Sequence, residues 1–188
     1  MNNAIEEIRI EWDGPYSLTD IGYNEKKQNY TNKPKLLSDE NKDFGIYQVY
    51  GCHPIYGNDV LLYIGKAVEQ TFAVRLSQEG WAYNEDSKNI KFYVGRLFSK
   101  TQPSSIDEWN TMIDKAESML IYAHEPARNS ANILNITKNK SKLEKFKNLR
   151  ILNYDNYRSL MPEVSGELWV KSFEYDDVFD AEQIEKQT

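Results

Sequence analysis

The chain of 188 residues is 40% hydrophobic and 13% aromatic, values typical of one globular domain with extensions. Its net charge of −6 argues against a protein that coats nucleic acid, and its single cysteine excludes an internal disulfide framework and a multi-cysteine zinc site. No apolar run approaches the length of a membrane-spanning helix, and the first residues lack the apolar core of a signal peptide. We therefore expect a cytoplasmic protein that does not enter a membrane.

The first half of the chain changes character at residue 44. Residues 1–43 are polar and rich in turn-forming residues, and they contain one predicted strand at 8–12. Apolar and polar residues then alternate at 44–50 and again at 59–65, which predicts two strands joined as a hairpin.

The next predicted elements are a helix and a third strand. The helix runs from about Val68 to Gln78 and stops at Gly80, a residue suited to ending a helix. The β-branched and aromatic residues at 89–98 predict the strand.

A second helix has the clearest pattern in the chain. Ser105 precedes Glu108 by three residues, the spacing of a capping box, and Pro126 predicts the end of the helix. Apolar residues between these limits recur at intervals of three and four, which predicts a buried stripe: Trp109, Ile113, Ala116, Leu120 and Ala123. Further strands are predicted at 149–154 and 166–175.

These elements predict an α/β (α+β) fold in which a small, central, mainly antiparallel three-stranded sheet is flanked by helices. We divide the chain into an N-terminal extension at 1–43, a core at 44–135 and a C-terminal extension at 136–188 that packs on the same domain. The last range begins with a basic segment, 138–150, and ends in an acidic tail. The basic segment would suit a polyanion, although charge alone favours an ordinary solvated surface for both stretches.

Two similar tripeptides flank the loop of the predicted hairpin: Gly45-Ile46-Tyr47 and Tyr63-Ile64-Gly65. Every register in which the paired residue numbers sum to an even value, such as a direct pairing of Tyr47 with Tyr63, places both tyrosines on one face of the sheet. Packing alone would explain an isolated pair of strand tyrosines.

Two charged helix residues also have ordinary explanations. Arg75, in the first helix, could pair on the surface with Glu79 one turn later. Glu117, at the border of the buried stripe in the second helix, could be a solvated glutamate.

In their order along the chain, however, these features resemble the GIY-YIG nuclease family. The resemblance comprises both tripeptides, the arginine in the following helix, and the stretch AESMLIYAHEPARN with its glutamate, apolar pair, proline and asparagine. It covers about residues 44–129, under half of the chain, and implies that 44–135 is the catalytic core of a divalent-metal-dependent DNA endonuclease.

The resemblance implies catalytic roles for three of the residues. Tyr47 would be the general base for the attacking water, or the relay to that base, and Tyr63 would orient the water or the phosphate. Arg75 would stabilise charge on the scissile phosphate, a role for which a planar guanidinium suits better than an ammonium.

Three further residues would bind the metal or the substrate. Glu117 would be catalytic as the carboxylate that holds Mg²⁺ or Mn²⁺, since Mg²⁺ keeps several waters and needs few protein ligands. Lys66 would lie near the substrate, and Asn129 would brace the site.

One departure from the family pattern leaves alternatives open. Several members carry a histidine where this chain has Glu79, one helical turn after Arg75. The alternatives are a catalytically attenuated GIY-YIG-like nucleic-acid-binding or regulatory protein, and an acidic protein-interaction domain. The expected partner is DNA, read by 1–43, 77–89 or 138–150, and cutting both strands would call for a homodimer.

Overall fold

The computed structural model describes residues 5–31, 34, 36–83, 87–98, 105–129 and 146–166. The strands in these ranges are β1 (Glu6–Tyr16), β2 (Tyr23–Asn24), β3 (Asn29–Tyr30), β4 (Gly45–His53), β5 (Gly57–Ala67), β6 (Lys91–Phe98), β7 (Leu149–Asp155) and β8 (Glu163–Ser165). The α-helices are α1 (Phe72–Gln78) and α2 (Ile106–His124), and short 3₁₀ turns lie at Trp81–Tyr83 and Ser87–Asn89.

Six of the strands form one curled, mixed sheet, half of a barrel, in the order β5-β4-β6-β1-β7-β8. The β1–β7 pair is parallel and the other neighbours are antiparallel. The prediction of a small three-stranded sheet flanked by helices is therefore wrong. The three predicted strands do pair with one another as β5, β4 and β6, but the outer edge of β6 continues into β1, β7 and β8, and the described residues contain only two α-helices.

The strand predicted at 8–12 lies in the interior of this sheet, between β6 and β7. Its alternating apolar residues, Ile8, Ile10 and Trp12, are buried, and the Trp12 indole donates to Asn153 Oδ1 of β7 at 2.8 Å. Burial on one face and pairing on both edges explain why an isolated apolar alternation in a polar segment forms a long strand.

Both flanking ranges, 1–43 and 136–188, thus contribute strands to the sheet that contains the range 44–135. The strand predicted at 149–154 is confirmed as β7. Most of the strand predicted at 166–175 lies outside the described residues, as do 138–145 of the basic segment and the whole acidic tail at 173–188.

The two helices pack on opposite faces of the sheet. Helix α2 buries Ile113, Ala116 and Leu120 of the predicted stripe against one core, and Ser105 caps its start by accepting from Glu108 N–H. Helix α1 packs into a second core through Phe72 and Leu76.

Helix α1 is shorter than predicted at its N-terminal end. Strand β5 continues to Ala67, and Thr71, in extended conformation, caps the helix by accepting from Val74 N–H. Gly80 has a φ of +71° just after the helix, in keeping with its predicted role as the terminator. Among the residues that the structure describes, no helix is both long and apolar enough to cross a membrane.

Candidate active site

The two motif tyrosines lie together on the α1 face of the β4–β5 pair. Tyr47 is opposite Gly65 and Tyr63 is opposite Val49, so the register is even, although it differs by two residues from a direct pairing of the tyrosines. The rings lie side by side, with centroids 6.1 Å apart and planes at 32°. The same-face prediction is thereby confirmed.

Gly65 is what allows the two phenols to approach each other. A Cβ at this position would lie 2.5 Å from the Tyr47 hydroxyl and 2.6 Å from a ring carbon of Tyr63. Any side chain would therefore push the rings apart. The glycine of the second tripeptide has a steric role in the site.

Tyr47 is fully buried, and its hydroxyl faces helix α1. It donates to Glu79 Oε1 at 3.5 Å, and the same carboxylate forms an ion pair with Arg75. Burial, the charge of Glu79 and the neighbouring Tyr63 hold the pKa of Tyr47 well above its ordinary value, and Arg75 opposes this shift. Tyr47 is accordingly a protonated phenol at neutral pH.

The predicted surface pair of Arg75 with Glu79 is present, but it lies against the tyrosines. The Arg75 side chain is one-third exposed, and its Nε is buried without a hydrogen-bond partner among the described residues. A guanidinium held on one side and open on the other can still bind an oxyanion.

A second charged group occupies the opposite face of the sheet, next to α2. Lys66 Nζ lies 2.9 Å from Glu117 Oε2 and 2.8 Å from Asp114 Oδ1. The Glu117 side chain is only 12% exposed, whereas that of Asp114 is 58% exposed. Burial raises the pKa of the Glu117 carboxyl, an effect that Lys66 opposes.

The predicted residues therefore form two groups around strand β5. Side chains alternate along a strand, so Tyr63 and Lys66, three positions apart, point to opposite faces. Burial raises the pKa of Tyr63, and the negative charges of Glu79 and Glu117 raise it further. Strand β5 is the outermost strand of the sheet, so both groups lie next to the same sheet edge, one on each face.

Asn129 holds this edge in place from the outside. Its Nδ2 donates to the Ile64 carbonyl at 2.9 Å, and its Oδ1 accepts from Ile64 N–H at 2.9 Å. The preceding residue, Arg128, also donates its N–H to the Leu62 carbonyl. The side chain thus acts as a further strand residue beside β5, and it contacts the backbone of the second tripeptide.

The donor groups near Lys66 suit a hard divalent cation. Carboxylate oxygens are the ligands that Mg²⁺ prefers, and Glu117 and Asp114 already share one cation, the Lys66 ammonium. No group of three or more histidine, cysteine, aspartate or glutamate side chains suited to a metal occurs among the described residues. Any ion here would therefore keep water or substrate oxygens in its shell.

Two contributors to the site were missed in the sequence. Asp114 lies one turn before Glu117 on the same side of α2, a spacing that would have paired the two carboxylates. Trp81 packs on Tyr63 with ring centroids 5.8 Å apart, and its position in a loop gave no comparable signal.

Comparison of the chain with protein-family models, with curated proteins and with solved structures finds no match. No relative therefore supplies a reaction or a ligand. What supports a function is the arrangement of the charged and phenolic groups around β5.

Proposed function

We propose that this chain is a divalent-metal-dependent DNA endonuclease of the GIY-YIG type, which hydrolyses phosphodiester bonds. The observation that carries the proposal is the grouping of Tyr47, Tyr63 and Arg75 around Glu79, with Glu117 next to the same sheet edge on the other face. A fully buried phenol, a partly exposed guanidinium and a largely buried carboxylate next to one sheet edge are more than packing requires.

The charges of the site match those of phosphodiester hydrolysis. Negative charge grows on the phosphoryl oxygens in the transition state, and fixed cations stabilise it. Arg75, whose fork can bond two oxygens, would bind the scissile phosphate beside the tyrosines. Glu117, with Asp114, would hold the divalent ion, which when bound supplies further positive charge to the phosphate.

Tyr47 would act as a relay and not as a phenolate base. Its raised pKa keeps the proton on the phenol, and its hydroxyl points at Glu79. The attacking water would pass a proton to the Tyr47 oxygen while the Tyr47 proton moves to the Glu79 carboxylate. The water oxygen bonds to phosphorus, the bond from phosphorus to the leaving sugar oxygen breaks, and that oxygen takes a proton from solvent.

A second candidate is an attenuated GIY-YIG-like protein that binds nucleic acid or regulates without cutting. The observation that favours it is that both cations of the site already have carboxylate partners, Arg75 with Glu79 and Lys66 with Glu117. A phosphate would have to compete with these ion pairs.

Plasmid nicking in Mg²⁺ or Mn²⁺ tests the first candidate. The wild type should nick supercoiled DNA, Glu117→Ala should not, and Glu11→Gln, which changes an exposed carboxylate on β1, should nick like the wild type. Failure of the wild type on a broad DNA panel, or equal cutting by Glu117→Ala, refutes the nuclease. DNA binding without cutting, and without divalent-ion binding even when DNA is present, would instead establish the second candidate.

We further propose a cytoplasmic location and, for cutting of both strands, a homodimer. One active site of this kind cuts one DNA strand at a time, so a monomer should convert supercoiled plasmid into nicked circles that accumulate. Linear product that rises steeply with protein concentration would support the dimer.

A further inference from the structure

Two aromatic residues of one short turn lie between the candidate site and an exposed surface. Trp81 packs on Tyr63, and Tyr83 lies in the same 3₁₀ turn as Trp81. Tyr83 is 69% exposed, yet its ring is held edge-on by Tyr23 with centroids 6.4 Å apart and planes at 87°. An exposed aromatic ring that is fixed in this way loses little conformational freedom when it binds a ligand.

The ring that holds Tyr83 belongs to the small β2–β3 hairpin. Tyr23 and Tyr30 pair across this hairpin with centroids 5.1 Å apart, and the contact of Tyr23 with Tyr83 places the hairpin beside the Trp81–Tyr83 turn. The turn of the hairpin presents Lys26 and Lys27 to solvent, and neither forms an ion pair with any residue that the structure describes. The surface next to the site therefore combines one flat ring with two exposed ammonium groups, in a turn that also carries the carboxylate of Glu25.

A nucleic-acid strand complements this combination. Nucleobases stack on aromatic side chains, and their phosphates pair with lysines. A base inside a duplex has both faces covered by its neighbours, so only an unpaired or unstacked base can lie on a tyrosine.

We propose that Tyr83, held by Tyr23, is a stacking platform for an unpaired nucleobase beside the scissile phosphate, and that Lys26 and Lys27 contact the same strand. This inference rests on the proposed nuclease function and narrows its substrate class to DNA with unpaired nucleotides next to the point of cleavage. Two of the stretches expected to read DNA, 1–43 and 77–89, meet at this surface.

The chain offers a matched control in Tyr56. Its ring is 67% exposed and stacked on His53, with centroids 4.7 Å apart, so it resembles Tyr83 in exposure and in having a ring neighbour. It lies just before β5 and borders the same shallow cavity as Asn129, whereas Tyr63 and Lys66 lie further along that strand, roughly 20 Å and 30 Å away at the usual rise.

The test is binding of metal-free Glu117→Ala protein to oligonucleotides that carry 2-aminopurine, whose fluorescence falls on stacking. Single-stranded DNA should bind more tightly than blunt duplex and should lose fluorescence. Tyr83→Ala should weaken this binding about 5- to 150-fold and restore the fluorescence, Tyr83→Trp should keep both, and Tyr56→Ala should change neither. The double variant Lys26→Gln/Lys27→Gln should flatten the slope of log affinity against log salt by about 1.4.

Each outcome decides between the two proposals. Equal DNA binding by Tyr83→Ala and Tyr56→Ala, or a preference for blunt duplex, overturns the stacking platform. The nuclease proposal is unaffected by either result, because the protein still binds DNA. Binding of neither DNA by this variant also overturns the platform, and plasmid nicking by the wild type then decides the nuclease proposal separately.

Discussion

The hydroxyl of Tyr47 and the carboxylate of Glu79 face each other at 3.5 Å, at the junction of β4 and α1. One group is a buried phenol and the other, at 22% side-chain exposure, remains in contact with solvent. A proton that leaves Tyr47 therefore has a carboxylate acceptor that connects to water. Glu79, which stands where several GIY-YIG nucleases have a histidine, therefore has a role as proton acceptor in the proposed mechanism.

Replacing Glu79 by glutamine should slow cleavage by about 10²- to 10⁴-fold, because the relay then lacks a proton acceptor. The same change should lower the pKa of Tyr47, since it removes a negative charge that raises it. Single-turnover rates with saturating DNA measure the first effect, and ultraviolet titration of the phenolate measures the second.

Glu11→Gln is the control for this change, because it also removes one negative charge from the chain but on an exposed part of β1. It should leave both the rate and the phenol titration unchanged. Faster cleavage by Glu79→Gln than by the wild type would show that Glu79 restrains the site, as the attenuated candidate requires.

Replacing Lys66 by methionine should move divalent-ion binding to higher pH. Burial already raises the pKa of Glu117, and Lys66 is the nearest cation that opposes this shift. Without it the pKa should rise further, and only the deprotonated carboxylate binds a metal. Mn²⁺ titrations followed by electron paramagnetic resonance at several pH values would record the shift.

Lys66→Arg should keep the wild-type pH dependence, since the charge is retained. Tighter Mn²⁺ binding by Lys66→Met at every pH would contradict the expectation. Such a result would mean that the Lys66 ammonium mainly competes with Mn²⁺ for Glu117, and that this competition outweighs its effect on the ionisation of the carboxyl.

The features of the fold that depend on neighbouring residues could be predicted from sequence, because the residues that determine them lie close together in the chain. An even register alone places Tyr47 and Tyr63 on one face, and Ser105 with Glu108 marks the start of α2. The start of α1 was set too early because Glu69 has a left-handed φ of +60° and Thr71 caps the helix, so the four residues after Ala67 are not helical.

The sheet as a whole depended on contacts between distant residues. Ile8 pairs with Ile151 in a parallel ladder that joins the two ends of the described chain, and neither segment alone specifies such a partner. The same holds for Lys66 and Glu117, whose contact arises only once α2 packs across the sheet. Alternation predicts the strand, but tertiary packing selects its neighbour.

Stability should decline in mildly acidic solution because of His124. Met161 N–H donates to its Nε2 at 2.8 Å, so this nitrogen is unprotonated, and Nδ1–H donates to the Leu120 carbonyl at 2.8 Å. Burial lowers the pKa of His124, whereas the unfolded chain has a value of about 6.5. The unfolded state therefore takes up the proton first as pH falls, and the free energy of unfolding decreases below about pH 6.5.

Urea unfolding of the wild type and of His124→Gln between pH 7.5 and 5 measures this effect. The variant should be less stable at pH 7.5 by about 1 kcal/mol, the usual value of one hydrogen bond, but its stability should change less with pH. Equal pH slopes for the two proteins would exclude His124 as the cause.

Replacing Asn129 by alanine should loosen the edge of the sheet at the second tripeptide. The side chain makes both of its backbone hydrogen bonds with Ile64, so its loss should cost about 1–3 kcal/mol and expose the Ile64 amide to solvent. Hydrogen exchange of that amide should then become fast, while Asn129→Asp, which keeps an acceptor for Ile64 N–H, should preserve its protection. Unchanged exchange in Asn129→Ala would show that the neighbouring backbone bond from Arg128 to Leu62 suffices to hold the edge. If cleavage falls only in Asn129→Ala, the variant that frees the amide, Asn129 acts by positioning Tyr63 through its strand; a fall in both variants would instead indicate contact with DNA.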